Sequence, residues 1–511
     1  MWAICIWIKP QLLTRTIMKT FTLTLLITII FSIQSSAQAV HEEERYVPET
    51  DSLVIQKLEQ WQDLKFGLLM HWGAYSQWGI VESWSICPEE YGWCKRTKGA
   101  NPDNYFAYKK EYEELKNTFN PVNFSPEKWA AAANYAGMKY MIFTTKHHDG
   151  FSMFDTKYTD YKITDPRCPF SANPRANITE EIFDAFREKD FWVGAYFSKP
   201  DWHHPNYWDP KYPPRDRNVN YEPESNPEGW QKFIDFTHNQ ILELLTDYGK
   251  VDILWLDGGW VAKDDKTTIT SWYDKQLKNT KTGYLKHRMV NQDIKMDELV
   301  VKAREKQAGL LVVDRAVHGI NQNYLTPENR VPDKTLDYPW ESCIISGGGW
   351  SHTKNAKYMT GRQGVQLLVD IVAKGGNLLL NVAPTPEGEW QQGAYKLLQE
   401  IGDWMKINSE AIYDTKPIAP YKEENICMTQ KDDGTTYFMY LASEGENSIP
   451  NEIIIKSHRP VRNAKVALLG SDTKMKWKAV GENGFRIIIP ESLSVDPPSN
   501  YVWTFKVTSV N

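Results

Sequence analysis

Short runs of consecutive apolar residues alternate with longer amphipathic runs between residues 51 and 412. A continuous apolar run bounded by polar residues or glycine predicts a strand buried on both faces, and apolar positions three or four apart predict a helix packed on it. Strands are predicted at 65–73, 140–146, 192–198, 252–257, 288–292, 309–313, 338–345 and 377–382. Helices are predicted at 51–62, 125–137, 179–189, 227–248, 297–307, 362–374 and 388–412. Ser125 as N-cap, Pro126 at the first helical position and Gly137 at the stop punctuate one of them. Eight strands, most of them followed by a helix, predict a (β/α)8 TIM-like barrel.

Beyond Pro417 the pattern changes. Short strands are predicted at 437–441, 452–456, 465–469, 486–489 and 501–507, with turn signals at Asp433-Gly434 and Asn483-Gly484. They predict a small C-terminal antiparallel β-sandwich, its core including Trp477 and Trp503. The expected division is a leader over 1–39, the barrel over 40–415 and the sandwich over 416–511. The Pro/Asn-rich stretch 207–227 is expected to drape over the barrel mouth.

The ends of the barrel strands carry the chemistry. His71, His147-His148, Asp201-Trp202, Asp257, Asn291, Asp314-Arg315, Glu341 and Asn381 fall at or near them, and in such a barrel strand ends meet at one mouth. The stretch Val251–Trp260, VDILWLDGGW, states this most clearly: an apolar run ends in Asp257, and Gly258-Gly259 break it.

Composition narrows the partners. Lys and Arg total 59 against 65 Asp and Glu, a net charge of −6 without a long single-sign run, which argues against nucleic acid. The 21 Trp include candidates for stacking on sugar, most of the others being core. Residues 18–39 have the anatomy of a secretory signal: Lys19, the apolar run 21–33 and small residues at 35–39. That run is short for a membrane span, so the mature chain is expected to be soluble and exported, to a periplasm or the medium. Cys87 and Cys94 could close a small loop in an oxidising compartment. No CxxC, HxH or HExxH spacing is present, and neighbouring His147 and His148 point to opposite faces of a strand, so no metal and no cofactor is expected. Two carboxylates with histidines and tryptophans at one mouth suit glycoside hydrolysis.

Five segments carry a resemblance: FGLLMHWGAYS (66–76), TTKHHDGFSMFDTKYTDY (144–161), DILWLDG (252–258), PWES with a later Gly349-Trp350, and GNLLLNVAPTPEG (376–388). In these the chain resembles the retaining α-L-fucosidases of glycoside hydrolase family 29. The resemblance implies an exo-glycosidase that removes terminal α-L-fucosyl residues from oligosaccharides or glycoconjugates through a covalent intermediate. It implies Asp257 as nucleophile, and His71, His147, His148 and Trp255 as groups holding the fucose. Glu341, in the WE motif, matches an acid/base position, with Glu328 in TPENR as its rival and Glu82 as a third candidate. Trp84, Tyr196, Trp202, Arg330 and Trp350 complete the expected substrate contacts. Trp340 and Ile344-Ile345 would raise the pKa of Glu341, whereas Arg330 would lower that of Glu328, which favours Glu341. The other class of function is a fucose-binding protein without catalysis; two carboxylates at the site discriminate against it.

Overall fold

A computed structural model describes residues 46–89, 93–285 and 287–511. The expected leader and its cleavage site lie outside them. Residues 46–511 form one compact unit.

The barrel strands are β1 (Phe66–Met70), β2 (Tyr140–Lys146), β3 (Trp192–Ser198), β4 (Ile253–Asp257), β5 (Leu311–Asp314), β6 (Glu341–Ile345) and β7 (Asn377–Asn381). They form one parallel sheet in the order β5-β4-β3-β2-β1-β7-β6. Nearly every residue in them is buried, as continuous apolar runs require. Alternate side chains serve two cores. Leu69, Tyr140, Ile142, Tyr196, Ile253, Trp255, Val313 and Leu379 fill the inside of the curled sheet. Phe66, Leu68, Met70, Phe143, Phe197, Leu254 and Leu380 pack outward against the helices. Helix α1 (Ser52–Leu64) closes the end where the strands begin: its Trp61 stacks on Tyr324 at 3.9 Å, and its carbonyl accepts from Asn377 at 2.8 Å.

Seven strands form where eight were expected. Residues 288–292 make no strand; Gln292 instead ties the 207–227 loop down, accepting from Val219 N at 3.0 Å and donating to Asn218 at 2.8 Å. The gap between the sheet edges is spanned by 322–328, which makes only isolated bridges: Gln322 to Val313, Leu325 to Trp340 and Glu328 to Cys343. The strand expected over 338–345 begins at Glu341, because Pro339 cannot donate to a ladder. Glu341 therefore opens its strand rather than ending it.

The C-terminal sheets are β8 (Lys416–Glu423), β9 (Ile426–Gln430), β10 (Thr436–Leu441), β12 (Val466–Leu468) and β15 (Val502–Val507), ordered β12-β15-β10-β9-β8, against β11 (Glu452–Ile455), β14 (Gly484–Ile488) and β13 (Lys476–Val480). Trp503 is buried between them and Trp477 packs on the same core. Trp404, from the last long helix (Gln392–Asn408), donates to the Val502 carbonyl at 2.9 Å. Cys87 and Cys94 are both free thiols, so no disulfide closes that loop. Among the described residues no helix is long and apolar enough to cross a membrane.

Candidate active site

The ends of β1, β2, β3, β4, β5 and β7 converge as expected. Asp257 is the last residue of β4, and Gly258 behind it has φ +96°, a turn only glycine makes cheaply. Tyr196 of β3 donates to Asp257 Oδ2 at 2.8 Å, and Gly258 N donates to Oδ1 at 2.8 Å. Arg315, one residue past β5, sets its NH1 3.3 Å from Oδ1. His148 Nε2 stands 3.8 Å from Oδ2. Burial opposes ionisation of Asp257, but Arg315 first, then His148, Tyr196 and the Gly258 amide outweigh it and hold its carboxyl well below the usual carboxylate range.

The three histidines form one cluster. His71 bonds Asn381 Oδ1 at 3.0 Å, and His147 shares a 2.6 Å hydrogen bond with Ser83. The rings of His147 and His148 lie 4.3 Å apart rather than on opposite faces of a strand, because β2 ends at Lys146 and both follow it; those of His71 and His147 lie 5.9 Å apart. Burial pushes His71 and His148 down to about 4 and His147 well below the ordinary histidine value, so all three are neutral at pH 7 and can donate or accept with a hydroxyl. Ligand atoms of His147, His148 and Asp257 come within 4.8 Å of one another, the one such grouping among the described residues. One nitrogen of His147 is already engaged by Ser83, and the same trio suits a sugar's hydroxyls.

Tryptophans wall the mouth. The Trp84, Trp202 and Trp260 rings lie 5.3, 5.1 and 5.1 Å from His148. Arg217, in the 207–227 loop, lies over Trp84 and Trp260, and its carbonyl accepts from Trp202, so that loop does reach the mouth. Trp350 lies 5.2 Å from His71. Trp255 sits lower, stacked on Tyr196 at 5.2 Å beneath the guanidinium of Arg315. Glu82 is buried and accepts from Ser351 N at 2.8 Å; burial first, then Glu328 and Asp257, push its pKa up to about 8, against the pull of Ser351.

The second carboxylate is not where the WE motif put it. Glu341 is fully buried at the start of β6, opposite Asn377, four residues below the end of β7 or roughly 13 Å along the strand. Its carboxyl accepts from Tyr140 at 2.6 Å and from Trp255 at 3.3 Å, away from solvent. The carboxylate at the mouth is Glu328, ion-paired with Arg315 NH2 and accepting from Trp350 Nε1 at 3.2 Å. Its side chain is 34% exposed, enough to meet a substrate. Arg330 lies two residues on, its carbonyl held by Ser342, and the guanidinium between the acids is that of Arg315. Arg315 and Asn381 stood at predicted strand ends without a role. Ser83 and Trp260 also went unassigned, although Trp260 lies three residues past Asp257 in the strongest motif.

A parallel barrel presenting an ionised carboxylate, a second acid, neutral histidines and an aromatic wall at one rim defines a carbohydrate-cleaving enzyme. The model of the alpha-L-fucosidase family matches residues 33–410. Human tissue alpha-L-fucosidase is 27% identical over 507 residues, covering 95% of this chain and 97% of its own. A Branchiostoma floridae alpha-L-fucosidase is 26% identical, covering 92% and 97%. Alpha-L-fucosidase isoenzyme 1 from Paenibacillus thiaminolyticus superposes with a TM-score of 0.69 at 28% identity, covering 90% of this chain and all of its own. This chain belongs to the alpha-L-fucosidase family, and its enzyme class is α-L-fucosidase.

Proposed function

We propose that this protein is an exported, retaining exo-α-L-fucosidase acting on terminal fucose of oligosaccharides or glycoconjugates. Asp257 is the nucleophile and Glu328 the acid/base. A carboxylate of Asp257 attacks the anomeric carbon while the bond to the leaving oxygen breaks and Glu328 donates its proton to that oxygen. The Glu328 carboxylate then takes a proton from water, the water oxygen bonds the anomeric carbon, and Asp257 is released. His71, His147 and His148 hold the fucose hydroxyls, and Trp84, Trp202 and Trp350 shape the pocket.

The observation that carries this reading is the single guanidinium of Arg315 shared by Asp257 and Glu328. Two carboxylates on one guanidinium favour the short separation, about 5–5.5 Å, of a retaining reaction. Export rests on the leader anatomy of residues 18–39. Proton NMR of an aryl α-L-fucoside during hydrolysis tests the function: α-L-fucose is expected first, with the β anomer rising only by mutarotation. Release of the β anomer first would overturn retention, and no hydrolysis of any fucoside would overturn the activity. N-terminal sequencing of protein recovered outside the cytoplasm is expected to read from between residues 38 and 40.

A further inference from the structure

Beneath the mouth lies a buried polar group that the reaction above does not use. Glu341 is wholly enclosed, with Tyr140 donating to Oε2 at 2.6 Å and the Trp255 indole donating to Oε1 at 3.3 Å. A buried carboxyl in such a setting needs a structural or functional reason. The Trp255 indole gives one. Its ring lies 5.0 Å under the Arg315 guanidinium and stacks on Tyr196 at 5.2 Å. Arg315 and Tyr196 are the two side chains that hold Asp257 Oδ1 and Oδ2.

From this geometry we infer that Glu341 is a positioning residue for the fucosidase reaction, fixing the Trp255 indole so that Arg315 and Tyr196 hold Asp257 in its attacking orientation. The inference rests on the proposed function above. Without the bond at Nε1, nothing polar sets the rotation of the indole in its slot. A tilted ring would carry the stacked phenol and the guanidinium with it, and displacements of about 1 Å at a nucleophile cost on the order of 100-fold in rate. Burial keeps the Glu341 carboxyl neutral at pH 7, pushing its pKa up to about 8 against the pull of Tyr140, Trp255 and Arg315. A glutamine side chain copies the shape of a neutral carboxyl and keeps an oxygen to accept from the Trp255 indole, while its NH2 donates to the Tyr140 hydroxyl, which can accept as well as donate.

The test compares Glu341→Gln, Glu341→Leu and Trp255→Phe on an aryl fucoside and on a fucosyl disaccharide with a poor leaving group. Glu341→Leu is expected to lower kcat about 10- to 100-fold on both substrates alike, with KM within about threefold. Glu341→Gln is expected to restore most of that loss. Trp255→Phe should match Glu341→Leu, and the double variant should lose no more than either single one. A loss in Glu341→Gln confined to the disaccharide would overturn the inference, because it would mark Glu341 as an acid. So would full activity in Glu341→Leu or in Trp255→Phe. If Glu341→Leu fails to fold, the Glu341→Gln and Trp255→Phe comparison still decides. Wild-type protein inactive on both substrates would overturn the fucosidase reading and this inference with it. An active wild type beside an indifferent Glu341→Leu overturns the inference alone.

Discussion

Asp257 and Glu328 grip the same guanidinium: Arg315 sets NH1 3.3 Å from Asp257 Oδ1 and pairs NH2 with Glu328 Oε2. One residue sits at the end of a barrel strand and the other on the irregular segment that closes the sheet. Their pairing defines the place where a glycosidic bond would lie.

Removing the nucleophile should leave the fold and abolish turnover. Asp257→Ala is expected to lower kcat by three orders of magnitude or more, on the order found when covalent nucleophiles are removed. Added azide should restore part of the reaction and yield a fucosyl azide of inverted configuration. Near-normal turnover of an aryl fucoside by this variant would exclude Asp257 from the chemistry.

Removing the acid should show itself through the leaving group. Glu328→Gln is expected to slow cleavage of a disaccharide by roughly 10²–10⁴ and that of an aryl fucoside far less, since the latter leaves with little protonation. The alkaline limb of its pH–rate profile should flatten. Equal losses on both substrates would assign Glu328 to binding alone.

Arg315 is expected to set the acidic limb. With the guanidinium gone, the burial that opposes ionisation of Asp257 loses its main counterweight, and the carboxyl moves up toward the ordinary range. Arg315→Gln should therefore shift the acidic limb of kcat/KM upward by on the order of one pH unit. An unmoved limb would show that Tyr196 and Gly258 suffice.

Stability should respond to pH with two opposing sets of groups. His71 and His148 titrate near 4 when folded, below the ordinary histidine value, so their contribution is present at neutral pH and is lost as pH falls through about 6.5 toward 4. Glu82 and Glu341 titrate near 8 when folded, above the ordinary glutamate value, so theirs is complete in acid and is lost as pH rises toward 8. Of these four groups only the glutamates act between about pH 6.5 and 8, and Tm should fall by about 2 °C or more across that window. Glu341→Gln removes one of the two titrations, so its Tm should fall less. Identical Tm slopes in wild type and variant would contradict the burial assigned to Glu341.

The place of Asp257 and of the three histidines at the mouth was legible in sequence because each stands at the end of a predicted buried strand, which marks both the strand and its mouth. The curled parallel sheet and the C-terminal sandwich followed from the same periodicities. The closing segment did not, because 322–328 makes single bridges rather than a ladder and so has no period to read. Residues 288–292 looked like a strand but spend their polar side chains on a neighbouring loop. Glu341 misled for a physical reason: its apolar neighbours do raise its pKa, as expected of an acid/base, but the burial responsible lies at the wrong end of the strand.

The bridging segment between β5 and β6 has a consequence for how such enzymes diverge. A strand locks each residue to a depth and a direction, so a one-residue slip would throw Asp257 to the other side of the wall. Glu328 is held more lightly, by a single bridge to Cys343 on a segment that forms no continuous ladder. Its carboxylate has a second anchor in the Arg315 guanidinium, with which it is ion-paired. In related chains the counterpart of Asp257 should keep one column of an alignment, and the counterpart of Glu328 is expected to vary more in position while still meeting an arginine.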